Sequence, residues 1–115
     1  MKKLHFTIAA VFATVLLAAC SSPKDRNLYY WGGYSDVVYD YYNEEGDFAK
    51  QEDALKQIIT QAKAHNKPVA PGVYAHLGLV LLKQGKQAEA NMAFQEEQHL
   101  YPESTTFMQY LQRKR

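Results

Sequence analysis

The segment from Val73 to Leu82 constrains this chain most, because eight of its ten residues are apolar and they cover every side of a helix. A helix that is apolar all round has to be buried. The rest of the chain must therefore pack around it. Gly85 marks its end, since glycine is favoured just past a helix C-terminus, so the expected span is about 73–84.

The flanking segments supply faces to cover it. From Asp47 to Ala64, the residues Phe48, Leu55, Ile58, Ile59 and Ala62 form one stripe. Lys50, Lys56, Gln57 and Lys63 are left for solvent. Asn66-Lys67-Pro68 ends this helix, and residues 69–72 read as a loop. Gln87 to about Leu100 carries Ala90, Ala93, Phe94 and Leu100 ahead of Pro102. A last helix, Ser104 to Lys114, puts Phe107, Tyr110 and Leu111 on one face. Its terminal Arg113, Lys114 and Arg115 suit the negative pole of a helix. Upstream, Gly32-Gly33 signals a turn, Ser35 or Asp36 can cap a helix, and Val37, Val38, Tyr41 and Tyr42 recur at helical spacing until Gly46. No segment alternates with period two for long. The reading is all-α: five helices in antiparallel pairs with short connections.

Seven of the fourteen residues from Tyr29 to Tyr42 are aromatic. Tyr and Trp serve equally as core and as interface residues, and both readings stand.

The N-terminus is of another kind. Lys2 and Lys3 precede an apolar run from Leu4 to Leu17, and Ala18-Ala19 lead into the single cysteine, Cys20. The run is shorter than the roughly 20 residues that span a bilayer, and the order of parts is that of a secretory signal. Leu17-Ala18-Ala19-Cys20 resembles a lipobox. That resemblance implies removal of residues 1–19 and lipid on Cys20. Two or three acyl chains hold a protein stably at a membrane. The other reading is ordinary cleavage that leaves Cys20 a free thiol. Ser21, which is not Asp, implies sorting to the outer membrane by the rule general to lipoproteins. Residues 20–28 then form a short lipidated tether, reaching at most about 25–30 Å, and 29–115 form one small domain.

Removing Lys2 and Lys3 leaves 11 basic against 12 acidic residues over Cys20 to Arg115, a net charge of −1. That gives no footprint for nucleic acid. With Cys20 lipidated no disulfide can form, so the core alone must hold the fold. His65, His76 and His99 lie on three separate segments without metal-ligand spacing. Glu44-Glu45 with Asp47, and Glu96-Glu97, are adjacent carboxylates that point apart on a helix. No serine has a general-base constellation, and no glycine loop cradles phosphate. The expectation is a protein without catalytic residues, metal or cofactor.

From Tyr74 to Pro102 the chain resembles one tetratricopeptide repeat. Tyr74, Leu77-Gly78, Leu81, Gly85, Ala90, Phe94 and Pro102 stand at the matching places. Small Gly78 and Ala90 allow two helices to approach closely. Glu97 departs from the pattern, where a small apolar residue is usual. A weaker upstream copy places Val38, Tyr42 and Gly46 at a spacing of 39, and Ala54 and Ile58 at a spacing of 36. This copy implies about three extra residues around Gln51 to Asp53. Tyr39 falls where the better copy has Gly78, so a less close helix contact is expected there. The last helix would be the solvating cap. Two units and a cap fall short of the roughly three repeats an array needs. Either the segment Tyr29 to Tyr34 folds back onto the first pair, or the domain completes itself on a partner or a second copy.

Repeats of this kind bind peptides along the groove of their first helices. The resemblance carries that groove onto Ala75, Leu79, Leu82 and Lys83, and in the first unit onto Asp36, Asp40 and Asn43. Leu79 and Leu82 are equally readable as core. Trp31, Tyr34 and Tyr39 join the candidate contact residues as aromatic anchors.

The whole chain is also similar to a family of small, largely uncharacterised proteobacterial lipoproteins. The residues carrying this are Tyr30-Trp31-Gly32-Gly33-Tyr34, Tyr39-Asp40-Tyr41-Tyr42 and Pro71-Gly72-Val73-Tyr74-Ala75-His76-Leu77-Gly78. In that family the gene typically neighbours one for a lipoprotein similar to the curli secretion channel subunit. The resemblance implies a role beside outer-membrane assembly and supplies no enzyme activity. The expected function is a non-enzymatic, lipid-anchored adaptor at the outer membrane facing the periplasm, with a protein partner and possible self-association. The alternatives are a regulator of cell-wall synthesis, which the short tether disfavours, and a peptidoglycan or glycan binder using the aromatic cluster.

Overall fold

The computed structural model describes residues 1–18, 27–43 and 46–113. Cys20 and the tether up to residue 26 lie outside the described residues. The chain is all-α, with helices α1 (Lys2–Ala18), α2 (Tyr34–Tyr42), α3 (Phe48–Ala64), α4 (Val73–Lys83), α5 (Gln87–Leu100) and α6 (Thr105–Arg113). A 3-10 turn, Pro102–Ser104, leads into α6. From α2 onward each helix packs against the next in the chain, and α4 with α5 is the most extensive pair. No described helix is long and apolar enough to cross a membrane.

Local chemistry sets the boundaries. The Asp47 side chain accepts a hydrogen bond from the Lys50 N–H at 3.0 Å, a cap contributing about 1 kcal/mol. α3 and α4 end alike. Asn66 (φ 53°) and Gly85 (φ 75°) take the left-handed conformation. The following amides reach back, Lys67 N–H to the Ala62 carbonyl and Lys86 N–H to the Leu81 carbonyl, both at 3.0 Å. This closure satisfies carbonyls that a helix end leaves open.

α2 departs from expectation at its start. It begins at Tyr34, with Gly33 at the cap position and no side-chain cap bond. Ser35 and Asp36, expected as caps, lie inside the first turn, where the Asp36 carboxylate still suits the positive helix pole. The helix stops at Tyr42, short of Gly46, with Asn43 donating from its side chain to the Tyr39 carbonyl at 2.9 Å.

α4 is the central helix. Val73, His76, Leu77, Gly78, Val80 and Leu81 are all buried. Of the described glycines Gly78 has the least room, since a Cβ there would sit 2.3 Å from Phe94 Cε1. Only glycine admits the Phe94 ring onto the α4 backbone. Ala90 beside it is fully buried. The first pair is looser: Tyr39, at the corresponding place of α2, is 65% exposed, and Val37 is the one buried residue of that helix.

In α6 the expected face is displaced. Met108 is the buried anchor and Leu111 is half-buried, whereas Phe107 and Tyr110 are 56% and 46% exposed. Met108 and Leu111 stand three apart on the side turned to α5, and that spacing decides the face.

The aromatic segment does not fold back on the α2–α3 pair alone. Residues 29–31 lie across the α3–α4 connection and the end of α5. The Tyr30 N–H donates to the Pro68 carbonyl at 3.4 Å, and Tyr30 and Val69 form an isolated parallel bridge. The Tyr30 ring stacks on His65, centroids 5.0 Å apart. Tyr29 meets Tyr101 edge-on at 6.1 Å, and the Tyr101 hydroxyl donates to the Val69 carbonyl.

Candidate functional site

Seven rings run in unbroken contact from this strap to the concave side of α2: Tyr101, Tyr29, Trp31, Tyr34, His76, Tyr41 and Tyr42. His76 is the buried member. Its ring meets Tyr34 edge-on at 5.6 Å and Tyr41 edge-on at 4.9 Å. Nδ1 lies 3.3 Å from the Tyr34 hydroxyl, and Nε2 is buried without a hydrogen-bond partner. Burial holds this imidazole below its ordinary range, because a charged ring there would be poorly solvated. Burial also raises the Tyr34 hydroxyl, with Glu97 and Tyr42 adding to the effect.

Glu97 explains its departure from the repeat pattern. It is almost wholly buried, and its Oε1 accepts from the Gly72 N–H at 2.7 Å. Gly72 is the N-cap of α4, has no side chain, and leaves the amides of the first turn open. A carboxylate reaching over from α5 supplies the missing cap. Burial pushes the Glu97 carboxyl up, while the N–H groups of Gly72, Ala75 and Tyr74 pull it down.

Over this floor lies a cleft of about 250 Å³. Tyr34, Val38, Tyr41 and Tyr42 of α2 form one wall, Gly72, Ala75, His76 and Leu79 of α4 the floor, and Phe107 of α6 the far side. It adjoins a recess of about 380 Å³ lined by Tyr41, Tyr42, Phe48 and Lys83. Ala75, Leu79 and Lys83 stand four apart on α4, so one face of that helix floors both. A third hollow of about 460 Å³ lies beyond α4, between α3 and α5. Lys56, Lys63, Glu89 and Glu96 line it with both signs of charge. It is the valley where side chains of two helices diverge over a third, and it gathers no shared chemistry.

The structure therefore brings together Tyr34, Ala75, Leu79 and Lys83 among the sequence-derived candidates. Leu82 packs half-buried against the core. Trp31, 41% exposed, touches Tyr34 outside the cleft. Asp36, Tyr39, Asp40 and Asn43 line neither the cleft nor the recess. On α2 the residues lining the cleft are Tyr34, Val38 and Tyr41, with the largely exposed Tyr42 at its rim, rather than the places carried from the better repeat. Phe107 and His76 were missed as cleft residues. The only hint for His76 was a lone polar residue in an apolar helix.

A polar cluster on the other side was also missed. Glu52 bonds Lys56, the Gln84 amide at 2.8 Å and Lys86 at 2.8 Å. These partners lower its carboxyl to about 2. Its i, i+4 partner Lys56 was legible, and the link to the α4–α5 turn was not. Among the described residues no group of three His, Cys, Asp or Glu could hold a metal ion.

The profile of one family, described as a domain of unknown function (DUF4810), matches residues 28–111. The chain belongs to this family. The match opens at the strap and closes within α6, so the DUF4810 unit comprises the ring ribbon, the cleft and all five helices after α1. No curated protein and no solved structure matches the chain.

Proposed function

We propose that this DUF4810 chain is a non-enzymatic, lipid-anchored adaptor that holds an extended segment of a protein partner along α4 at the outer membrane. One observation carries the reading: Ala75, Leu79 and Lys83, at i, i+4 and i+8, floor a continuous cleft and recess walled by tyrosines. Eight residues of helix rise about 12 Å, which an extended peptide covers in about four residues. Aromatic walls bury area at low conformational cost and favour polypeptide partners. The single titratable group in the aromatic cleft besides tyrosine is the buried His76, which suits packing better than proton transfer.

The tight Gly78–Phe94 contact supports reading α4–α5 as a tetratricopeptide-like unit, with α2–α3 a looser first unit and α6 its cap. The lipobox at Leu17 to Cys20 supports the anchor. The neighbouring curli-secretion-like lipoprotein of the resembling family is the first partner to test. The experiment is affinity purification of the membrane-tethered protein beside Leu79→Arg and Cys20→Ser. The reading expects a defined protein to co-purify with the parent and to be lost with Leu79→Arg. Cys20→Ser is expected to release the chain from the membrane. Undiminished recovery with Leu79→Arg contradicts the cleft.

A further inference from the structure

The strap shows apolar side chains to solvent at the point where the chain enters the domain. Leu28 is 68% exposed, Trp31 41% and Leu100 39%. Leu28 precedes Tyr29 and Leu100 precedes Tyr101, and these two half-buried rings meet edge-on at 6.1 Å. Tyr29 also meets Trp31 edge-on at 6.3 Å. The five residues therefore lie together where the strap crosses the end of α5. From Asn27 to Tyr34 the sequence has no Lys, Arg, Asp or Glu, so attraction to anionic headgroups does not draw the strap to a partner. What it offers is ring and aliphatic surface. Trp and Tyr rings settle at the interface of a bilayer with water, and leucine buries at the boundary of headgroup and acyl chain.

We infer that the strap is a membrane-facing surface, with Leu28, Tyr29, Trp31, Leu100 and Tyr101 seated on the bilayer that holds the lipid of Cys20. The inference rests on the lipid anchor proposed above and not on the cleft. Chain length carries the choice of occupant. Cys20 lies outside the described residues, but from Cys20 to Leu28 the chain spans at most about 25–30 Å. A bilayer that holds Cys20 is therefore always within that reach of the patch, and the patch is the first part of the domain the chain meets. The two exposed leucines also favour acyl chains over a glycan, which stacks on ring faces. A consequence for the cleft follows. Trp31 meets Tyr34 at 5.9 Å, and Tyr34 lines the cleft. The cleft then begins one ring away from the lipid, and a segment held in it lies beside the membrane surface.

The test uses the protein purified from its membrane and reconstituted into vesicles of phosphatidylethanolamine and phosphatidylglycerol, a share of them brominated on the acyl chains. Flotation reads the anchor, and the fluorescence of Trp31, the only tryptophan, reads the strap. The parent is expected to float, with Trp31 emission shifted to shorter wavelength and quenched by bromine. Added salt is expected to leave the quenching unchanged, because no charged side chain of the strap takes part. Leu28→Glu with Leu100→Glu is expected to float with its helical circular dichroism intact and to lose the shift and the quenching. A parent that floats with Trp31 unquenched would overturn the inference and leave the anchor standing. A parent that does not float would overturn the anchor and the inference with it. A double variant quenched as strongly as the parent, or quenching that vanishes in salt, would also contradict the inference. Trp31 unquenched on vesicles yet shifted by purified sacculi would assign the patch to a glycan instead.

Discussion

Phe94 lies on the bare backbone of Gly78, so close that a single added carbon would sit 2.3 Å from its ring. This contact joins α4 to α5 and fixes the most buried part of the fold. Gly78→Ala should destabilise the domain by about 1–3 kcal/mol through overpacking, despite the better helix propensity of alanine. Combining it with Phe94→Leu should recover part of that loss, since the two residues are coupled. Urea unfolding of the single and double variants measures the coupling.

Glu52 ties α3 to the α4–α5 turn through Lys56, Gln84 and Lys86. Its folded pKa of about 2 lies below the ordinary 4.5. The stabilisation is present above 4.5 and is lost as pH falls through about 2. Glu52→Gln should cost about 1.5–3 kcal/mol at neutral pH and flatten the acid limb. Unfolding free energies measured from neutral pH down to about 2 check both effects.

How much of this was legible in the sequence follows from where the information sits. Asp47 as a cap, Gly85 as a stop and Gly78 as a small residue are local signals, and the structure uses each of them. On α6 Leu111 packs as expected, but the aromatic rings of Phe107 and Tyr110 drew the face away from Met108, which tertiary packing selects. The cap on α4 was invisible, because Glu97 and Gly72 are 25 residues apart. Val37, Val38 and Tyr41 were legible as the inward stripe of α2, whereas the groove places carried onto Asp36, Asp40 and Asn43 lie off the cleft, because the Tyr34–His76–Tyr41 contacts that orient this helix form only once α4 is in place.

His76 and Glu97 should pull the pH dependence in opposite directions. Burial keeps His76 below its ordinary 6.5, so as pH drops through that value the unfolded chain takes the proton first and stability falls. Glu97 is raised above its ordinary 4.5. The folded state therefore takes that proton first, and acidification toward 4.5 adds stability. The titratable side chains in contact with His76 are Tyr34 and Tyr41. His76→Phe should lessen the acid loss, and Glu97→Gln should deepen it. Thermal melts across this range discriminate the two.

The strap can be watched directly, because Trp31 is the only tryptophan. Tyr101→Phe removes the hydroxyl that bonds the Val69 carbonyl, and should cost about 1 kcal/mol. Trp31 fluorescence should then change at a lower urea concentration than in the parent. If it changes well before the helical signal, the strap opens as a separate unit.

The cleft is the centre of the account, and a photo-crosslinking side chain placed in intact cells addresses it most directly. Position Leu79 lies on the cleft floor, and position Asn43 lies on the outer side of α2. One defined protein adduct is expected from position 79 and none of that mass from position 43. No adduct at 79, or the same adduct from both positions, would contradict it.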